Sequence, residues 1–489
     1  MVASKSFAVL AVVAVAVSSL SSSMLAAPIE NLPVTIMEDI EPLTHFHPAY
    51  GAQVAAAVIE YRIAEEEKPL TKAEATTVGS TARDGAATVM PARSRRMEAT
   101  NGDIQRLESY FKTKMEINVK TLKQYSPAGS TPAPWPSSYW PIYADGINYR
   151  WQNNQPSPSE KYATAYGLNV TKFMDAISKS NGILSQSSRR KCSINSECDS
   201  LKDGSICSIR RGETKGYCIP GWFGICHAWA PAAILEKEPK CAVKKGSTTF
   251  QPFDIKGLMT QIYDGAAVET VFTGVRFNGP DSPENVDEYG RYKDVARRDV
   301  GAGFFHIAIH NIMGKFKKPF VVDVTAGAEV WNQPVRDYQV VEMKELTTKQ
   351  GAQQYFKVDK YPFNPKAKKL MYVNTLFRWV VESGEDGELV STGRVDAYTA
   401  SANYKYILEL DNNDNILGGE WVDESRKEHP DFLWFPADRP AAETVTSVGL
   451  SYKNVLELLD ASVKCVDLNP TPTPTPTTLA PTPTPTPTT

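Results

Sequence analysis

Residues 221–235 read GWFGICHAWAPAAIL, in which a cysteine, Cys226, follows two glycines and precedes an alanine-rich run. Alanine has the highest helix propensity, so the run predicts a helix after the cysteine. The unpaired N–H groups and the dipole at a helix N-terminus stabilise a thiolate and lower its pKa. Pro231 cannot donate a helical hydrogen bond, so the helix could begin near Trp229 or be distorted in its first turn. The pattern indicates a nucleophilic thiol, and a buried structural cysteine is the alternative.

The number of cysteines supports a free thiol at Cys226. The chain has seven cysteines, and in an oxidising compartment an odd number leaves one unpaired. Four of them lie in the polar stretch 192–218 and predict a small two-disulfide subdomain whose pairing stays open. No Cys-x2-Cys pair is present, which disfavours a zinc site. Cys241 and Cys465 could close a third bridge. The predicted disulfide cysteines are Cys192, Cys198, Cys207, Cys218, Cys241 and Cys465.

A catalytic thiol needs a base and a group that orients the base. Among the six histidines, His306 and His310 lie in an alternating run, residues 304–310, that predicts a strand. His227 is not taken as the base, because adjacent residues on a helix do not face each other.

A second apolar run, residues 320–325, carries Asp323. A two-residue turn at Gly314-Lys315 would join the two runs as a hairpin and place His306 directly opposite Asp323. A longer loop would shift the register, so His310 is the alternative base. The sequence therefore predicts a catalytic set of Cys226, His306 and Asp323.

Both ends of the chain predict a secreted protein. Residues 1–26 carry a lysine, a short apolar core and small residues, which is typical of a secretory signal. Residues 469–489 are almost entirely threonine and proline, which predicts an extended, O-glycosylated stalk on a cell-wall or surface protein. Asn169 begins the N-glycosylation sequon Asn-Val-Thr.

An R-x-R-R tetrad at residues 93–96 is typical of a furin- or kexin-type processing site, and a solvated basic cluster is the alternative. Cleavage there would make residues 27–96 a pro-segment, which would take His45 and His47 with it. Residues 97–468 would then form the catalytic region.

Composition excludes several classes of protein. The hydrophobic fraction is 42% and the charged fraction 22%, which rules out wholesale disorder. A formal net charge of -3 gives no field that would favour nucleic acid or an anionic membrane. After the N-terminus no apolar run is long enough to span a bilayer.

The periodicities predict an α+β fold with an antiparallel sheet around a papain-like core, together with the disulfide-rich insertion. Helices are predicted over residues 104–125, 255–263 and 452–461. Strands are predicted over residues 306–310, 320–325, 370–380, 404–410 and 416–421.

The order Cys, His, Asp is similar to that of the papain-like transglutaminase superfamily, and the papain protease signature C-G-[SA]-C-[WY] is absent. A second resemblance rests on Val330, Trp331, Asn332, Gln333, Pro334, Val335 and Arg336. This run resembles the surface peptide of oomycete (Phytophthora-type) transglutaminase elicitors, which plants recognise. Residues 135–141, 222–234 and 418–421 and the cysteine-rich stretch also match, so the resemblance covers roughly residues 97–465. Residues 337–339, Asp-Tyr-Gln, differ from the family's version.

The resemblance implies a calcium-dependent protein-glutamine γ-glutamyltransferase. Cys226 would form a thioester with a glutamine side chain, and a lysine amine would resolve it into an isopeptide crosslink. His306 would relay protons and Asp323 would hold its tautomer. The backbone N–H of Cys226 and an indole N–H such as that of Trp222 would stabilise the oxyanion. The implied partners are protein substrates and a plant immune receptor that binds residues 330–342.

For calcium, spacing offers Asp411, Asn413, Asn415 and Glu420. Their alternate oxygens resemble the start of an EF-hand loop, but the glutamate comes too early and the central glycine is missing. The alternative is a turn between two hairpin strands. There are two rival functions: a secreted papain-like cysteine protease that uses the same triad, and a wall-anchored structural protein in which the triad is incidental.

Overall fold

The computed structural model describes residues 41–44, 47–50, 102–294, 296–298 and 300–468. The predicted secretory signal, the processing site and the C-terminal stalk lie outside these residues. Within them, no helix combines the length and apolar character needed to cross a bilayer.

Helices and strands alternate irregularly along the described chain. The helices are α1 (Gly102–Phe111), α2 (Val119–Leu122), α3 (Pro158–Ala165), α4 (Val170–Asn181), α5 (Cys226–Leu235), α6 (Pro252–Gly265), α7 (Ala302–Ile309), α8 (Thr348–Phe356) and α9 (Tyr452–Lys464). The strands are β1 (Glu41–Pro42), β2 (Ala128–Gly129), β3 (Lys191–Cys192), β4 (Ser205–Ser208), β5 (Gly216–Pro220), β6 (Val243–Lys245), β7 (Thr248–Phe250), β8 (Glu269–Gly274), β9 (Val321–Asp323), β10 (Asn332–Leu346), β11 (Lys369–Val380), β12 (Thr399–Leu410), β13 (Ile416–Trp421) and β14 (Phe432–Pro436).

The large sheet is antiparallel and runs in the order β1-β8-β14-β9-β10-β11-β12-β13, with β2 beside β10. Strands β11 and β12 pair without interruption from Lys369↔Leu410 to Val380↔Thr399. The predicted α+β class and antiparallel sheet are confirmed. The predicted strand over residues 416–421 coincides with β13.

One apolar core lies among α5, α6 and α9, and includes the fully buried Trp229, Ile255 and Leu458. A second core lies between α7 and the strands β10–β13, and includes Phe305, Phe377 and Tyr406. Because α5 and α7 are buried on nearly every side, neither shows the polar face of a surface helix.

The predicted strand over residues 304–310 is wrong. These residues begin in α7 and continue into a π-helical turn, His310–Lys315. A short run that is apolar on every side does not distinguish a buried strand from a buried helix. Close packing of α7 on β13 needs glycine at position 419, where an added Cβ would lie 2.7 Å from the backbone N of Gly303.

The predicted helix over residues 104–125 is interrupted. It divides into α1 and α2, and Asn118 caps α2 through its side chain, which accepts from the N–H groups of Lys120 and Thr121. An asparagine in this position competes for backbone N–H groups and favours a helix start.

The three disulfides use the six predicted cysteines. Cys192 pairs with Cys207 and Cys198 with Cys218, around the small sheet β3-β5-β4. The third bridge, Cys241–Cys465, joins residues 224 apart in sequence and fastens the end of α9 to the segment before β6. Cys226 is the free cysteine.

Candidate active site

Cys226 begins helix α5 and its side chain is buried, with 1% of the residue exposed. Its Sγ lies 3.5 Å from Nδ2 of Asn332 and 3.7 Å from the carbonyl oxygen of Val330. Pro231 lies inside the helix without preventing it from starting at the cysteine. The predicted helix N-terminus is therefore confirmed, and the thiol faces the strand that follows Asp323.

The start of α5 is held by the residue Tyr139. The Ile225 N–H donates to the Tyr139 carbonyl oxygen at 2.8 Å. Gly224 allows this approach, since a Cβ there would lie 2.6 Å from the same oxygen. These contacts fix the position of the thiol relative to the preceding chain.

The electrostatic setting of the thiol differs from the prediction. Burial raises the pKa of the Cys226 thiol to about 11, although the Asn332 amide acts in the opposite direction. In the described arrangement the cysteine is therefore a protonated thiol at neutral pH. The helix N-terminus alone does not offset the loss of water.

Asn332 is a site residue whose role at the thiol the sequence analysis missed. Its Oδ1 accepts a hydrogen bond from Nε1 of Trp434 at 2.8 Å. Because an indole N–H can only donate, this bond fixes the orientation of the amide. Nδ2 is then directed at the thiol and at the carbonyl oxygen of Ala49, which accepts at 2.6 Å. A polar residue between the apolar Val330 and Val335 is the signal that could have indicated it.

Asp323 ends β9 and pairs in register with Asn332. Opposed residues of an antiparallel pair direct their side chains to the same face, about 5 Å apart at Cβ. Oδ1 of Asp323 accepts from the Trp331 N–H at 2.9 Å and from the Thr325 hydroxyl at 3.1 Å. Oδ2 is buried and has no hydrogen-bond partner among the described residues. Burial raises the pKa of this carboxyl to about 7, so it can gain or lose a proton near neutrality.

Arg276 brings a positive charge to the same neighbourhood. Its charge lowers the pKa of Asp323 and opposes the effect of burial. Its Nη1 donates to the carbonyl oxygens of Pro48 at 3.2 Å and Tyr50 at 2.8 Å. Sequence analysis did not indicate this arginine, because its partners lie more than 200 residues away in the chain.

The histidines predicted as bases do not contact the thiol or the carboxylate. His306 shares a hydrogen bond of 2.8 Å between Nδ1 and the Tyr406 hydroxyl, and its Nε2 has no partner in the described part of the chain. His310 bonds through Nδ1 to the carbonyl oxygen of His306 at 2.8 Å. Burial lowers the pKa of His306 well below its usual range and that of His310 to about 4. The predicted hairpin that opposed His306 to Asp323 is wrong, since Asn332 takes that position.

The sequence model of the family described as transglutaminase elicitor matches residues 103–465. The chain belongs to this family. Among solved structures it is similar to the GP42 transglutaminase from Phytophthora sojae, with 52% sequence identity and a TM-score of 0.68. The match covers 75% of this chain and 99% of the GP42 chain. No curated protein sequence matches the chain.

The peptide that carries the elicitor resemblance is largely internal. Val330, Asn332, Gln333, Pro334 and Val335 are buried. Trp331 is half-buried, with its ring 5.5 Å from that of Tyr139, and Arg336 is also half-buried. None of the seven residues is fully exposed, because the run forms the start of the central strand β10 and the turn before it.

The remaining predicted site residues have other contacts. Trp222 is half-buried and packs edge-on against Phe223, with ring centroids 4.6 Å apart. Asn169 is exposed and caps α4 through its Oδ1, and its glycosylation stays a prediction. The His227 ring lies 3.0 Å from the Asp264 carboxylate through Nε2.

The residues proposed for calcium do not fit an ion site. Oδ1 of Asp411 accepts from the N–H groups of Asn413 at 2.7 Å and Asn415 at 2.9 Å, which closes the turn between β12 and β13. Glu420 lies in β13 and pairs with Arg291 at 3.0 Å. Among the described residues, one group of side chains has the spacing to hold a metal ion, namely Cys192, Cys198 and Cys218. These three cysteines form disulfides. The hairpin alternative is confirmed.

Proposed function

We propose that the chain is a protein-glutamine γ-glutamyltransferase that forms glutamine–lysine crosslinks through a thioester at Cys226. The observation that carries the proposal is the contact between the free thiol at the start of α5 and the oriented Asn332 amide, beside the Asp323 carboxyl. Family membership supports the same chemistry.

In the proposed first half-reaction, Asp323 accepts the thiol proton and the thiolate attacks the γ-carboxamide carbon of a glutamine. The oxyanion accepts hydrogen bonds from the Cys226 backbone N–H and Asn332 Nδ2. Asp323 returns the proton to the departing nitrogen, which leaves as ammonia and completes the thioester.

In the second half-reaction a lysine amine attacks the thioester carbon, and Asp323 takes the proton that the amine loses. Collapse of the intermediate leaves an isopeptide bond and expels the thiolate, which regains its proton from Asp323. This assignment gives Asp323 the proton-transfer role that the sequence analysis gave to His306, because His306 has both its contacts inside the apolar core.

Incubation of processed protein with a glutamine-containing protein and a labelled amine tests the proposal. We expect amine incorporation with one ammonia released per amine bound. Cleavage of the protein substrate without incorporation would instead support the cysteine protease.

Secretion, cell-wall association and calcium dependence form part of the same proposal. Three disulfides among the described residues are typical of an oxidising compartment. The threonine-proline tail suits a wall-associated protein. Calcium dependence rests on the family resemblance, and the four residues around the β12–β13 turn do not supply its site.

Plant recognition is proposed to reside in residues 330–342. We expect a synthetic peptide of this sequence to trigger defence responses, and Trp331→Ala or Pro334→Ala to silence it. Because six residues of 330–342 are buried, unfolded protein should elicit at lower concentration than folded protein. A full response to Cys226→Ala protein would separate recognition from catalysis, whereas loss of the response in that variant would mean that plants sense the crosslinking.

A further inference from the structure

Part of the predicted pro-segment packs against the candidate active site. Strand β1 pairs with β8, with Glu41 opposite Thr270. The Leu43 N–H extends this pairing by donating to the Val268 carbonyl oxygen at 2.7 Å. A turn follows, in which the Tyr50 N–H donates to the His47 carbonyl oxygen at 2.9 Å. The segment is therefore held by backbone pairing before it reaches the thiol.

Side chains of the segment fill an apolar recess. His47 is buried, bonds through Nε2 to the Thr270 hydroxyl at 2.8 Å, and lies with its ring centroid 5.3 Å from that of Phe272 and 5.5 Å from that of Trp434. Ala49 is fully buried and belongs to the apolar cluster that includes Phe272 and Trp434. The packing resembles that of a bound peptide more than that of a surface loop.

Three successive carbonyl groups of the segment are bound by side chains next to the thiol. Arg276 Nη1 donates to Pro48 and Tyr50, and Asn332 Nδ2 donates to Ala49 between them. The same Nδ2 lies 3.5 Å from Cys226 Sγ. The Ala49 carbonyl therefore accepts a hydrogen bond from the same Asn332 amide group that would stabilise the oxyanion in the proposed reaction.

Removal of the segment would leave these donors without the carbonyls. Nε of Arg276 is already buried without a partner in the described chain, so loss of the Nη1 bonds would leave a desolvated guanidinium poorly satisfied. A second peptide that adopts the same turn can restore the bonds through its own backbone carbonyls. Recognition of carbonyls does not depend on the side chains of the three residues that carry them.

We propose that the peptide backbone that flanks the substrate glutamine binds to a site here called the pro-segment seat, which consists of Thr270, Phe272, Arg276, Asn332 and Trp434. Residues 47–50 close this seat until the pro-segment is removed. The inference rests on the proposed function. The ligand class is a peptide turn with an aromatic or histidine side chain in the recess that holds His47.

The first test uses enzyme cleaved after Arg96 and a synthetic peptide of residues 41–50. We expect the peptide to raise the apparent KM for a glutamine-containing protein with kcat unchanged, and not to compete with the amine. Concentrations up to ~1 mM are appropriate, because a tethered segment has an effective concentration of that order. The Ala49→Asp peptide should not inhibit, because Ala49 is fully buried, whereas the Pro42→Ala peptide should, because Pro42 is exposed.

The second test does not depend on activity. Alkylation of Cys226 by iodoacetamide should be slow in full-length protein made uncleavable by Arg96→Ala, faster after Ala49→Asp in that chain, and slowed again when the peptide is added to cleaved enzyme. In cleaved enzyme, Arg276→Lys should raise the KM for the protein substrate by ~10-fold through loss of the guanidinium geometry, with the KM for the amine unchanged.

The outcomes separate the two proposals. If the cleaved enzyme is active but the peptide does not slow its alkylation, the proposal that residues 47–50 close the seat is wrong. Slower alkylation without competition against the glutamine substrate would overturn the substrate assignment. A cleaved protein that incorporates no amine but is still protected by the peptide would refute the transferase and support closure of the seat.

Discussion

Helices α5 and α7 are both short, apolar and buried, yet their reactive side chains have different surroundings. Cys226 on α5 faces the Asn332 amide and shares its neighbourhood with Asp323 and Arg276. His306 on α7 faces a tyrosine hydroxyl and another histidine within the apolar core. A titratable group becomes a catalytic candidate through the polar groups around it, and burial alone does not distinguish the two helices.

The largest expected effect comes from the α5 side of this comparison. Cys226→Ala should abolish amine incorporation and ammonia release, because the thiol is the proposed nucleophile. The circular dichroism spectrum and the melting temperature should stay close to those of the wild type. Denatured, non-reduced wild-type protein should contain one titratable thiol and the variant none; residual incorporation by the variant would contradict the assignment.

Asp323→Asn should reduce the rate by ~100-fold or more, which is typical of losing a general base. Because burial raises the carboxyl's pKa to about 7, the wild-type rate should rise with pH through that region as the base loses its proton. The variant should lose this dependence. A pH profile that is the same in both proteins would exclude Asp323 as the proton acceptor.

The same raised pKa has an opposite consequence for stability. The folded state binds the Asp323 proton more tightly than the unfolded chain, whose aspartate pKa is about 3.9. This contribution to stability is therefore present at low pH and is lost as pH rises toward 7. At pH 8 the Asp323→Asn variant should thus lose activity, while its free energy of unfolding, measured by urea titration, should not fall below that of the wild type.

His306→Ala tests the α7 side. We expect a loss of about 3 kcal/mol in the free energy of unfolding, from a cavity and the lost Tyr406 hydrogen bond. The rate per folded molecule should change by less than ~3-fold. A ~100-fold loss in a variant that remains folded would restore His306 as the base and remove the distinction between the two helices.

The smallest effect is expected at the β12–β13 turn. Asn413 is exposed, so Asn413→Ala should leave both the fold and the calcium concentration for half-maximal amine incorporation unchanged. A shift of that concentration by ~10-fold would show that the turn does bind calcium.

Sequence predicted the features that depend on local pattern. The alanine-rich run located α5, the odd cysteine count isolated Cys226, and the Asn/Asp cluster located the turn after β12. The alternation over residues 304–310 predicts a strand wrongly, because a run whose polar residues are only two histidines has no polar side that fixes the period.

The polar neighbours of the thiol could not be predicted in the same way. Asn332 lies 106 residues from Cys226, and the Ala49 carbonyl that it binds lies 283 residues away. Such contacts depend on the order of strands in the sheet, which no local periodicity records. The resemblance to elicitors places Asn332 in the run of residues 330–336, which resembles a peptide that plants recognise, but it does not indicate that the Asn332 amide faces the thiol.

The Cys241–Cys465 bridge has a mechanical consequence. Residue 465 lies four positions before the predicted stalk, and beyond it the Leu468 N–H donates to the Lys244 carbonyl oxygen at 3.1 Å. Tension applied through a stalk fixed in a wall would therefore pass through a covalent bond into the segment before β6. Helix α9 would not be peeled from the core, and the protein would remain folded under that load.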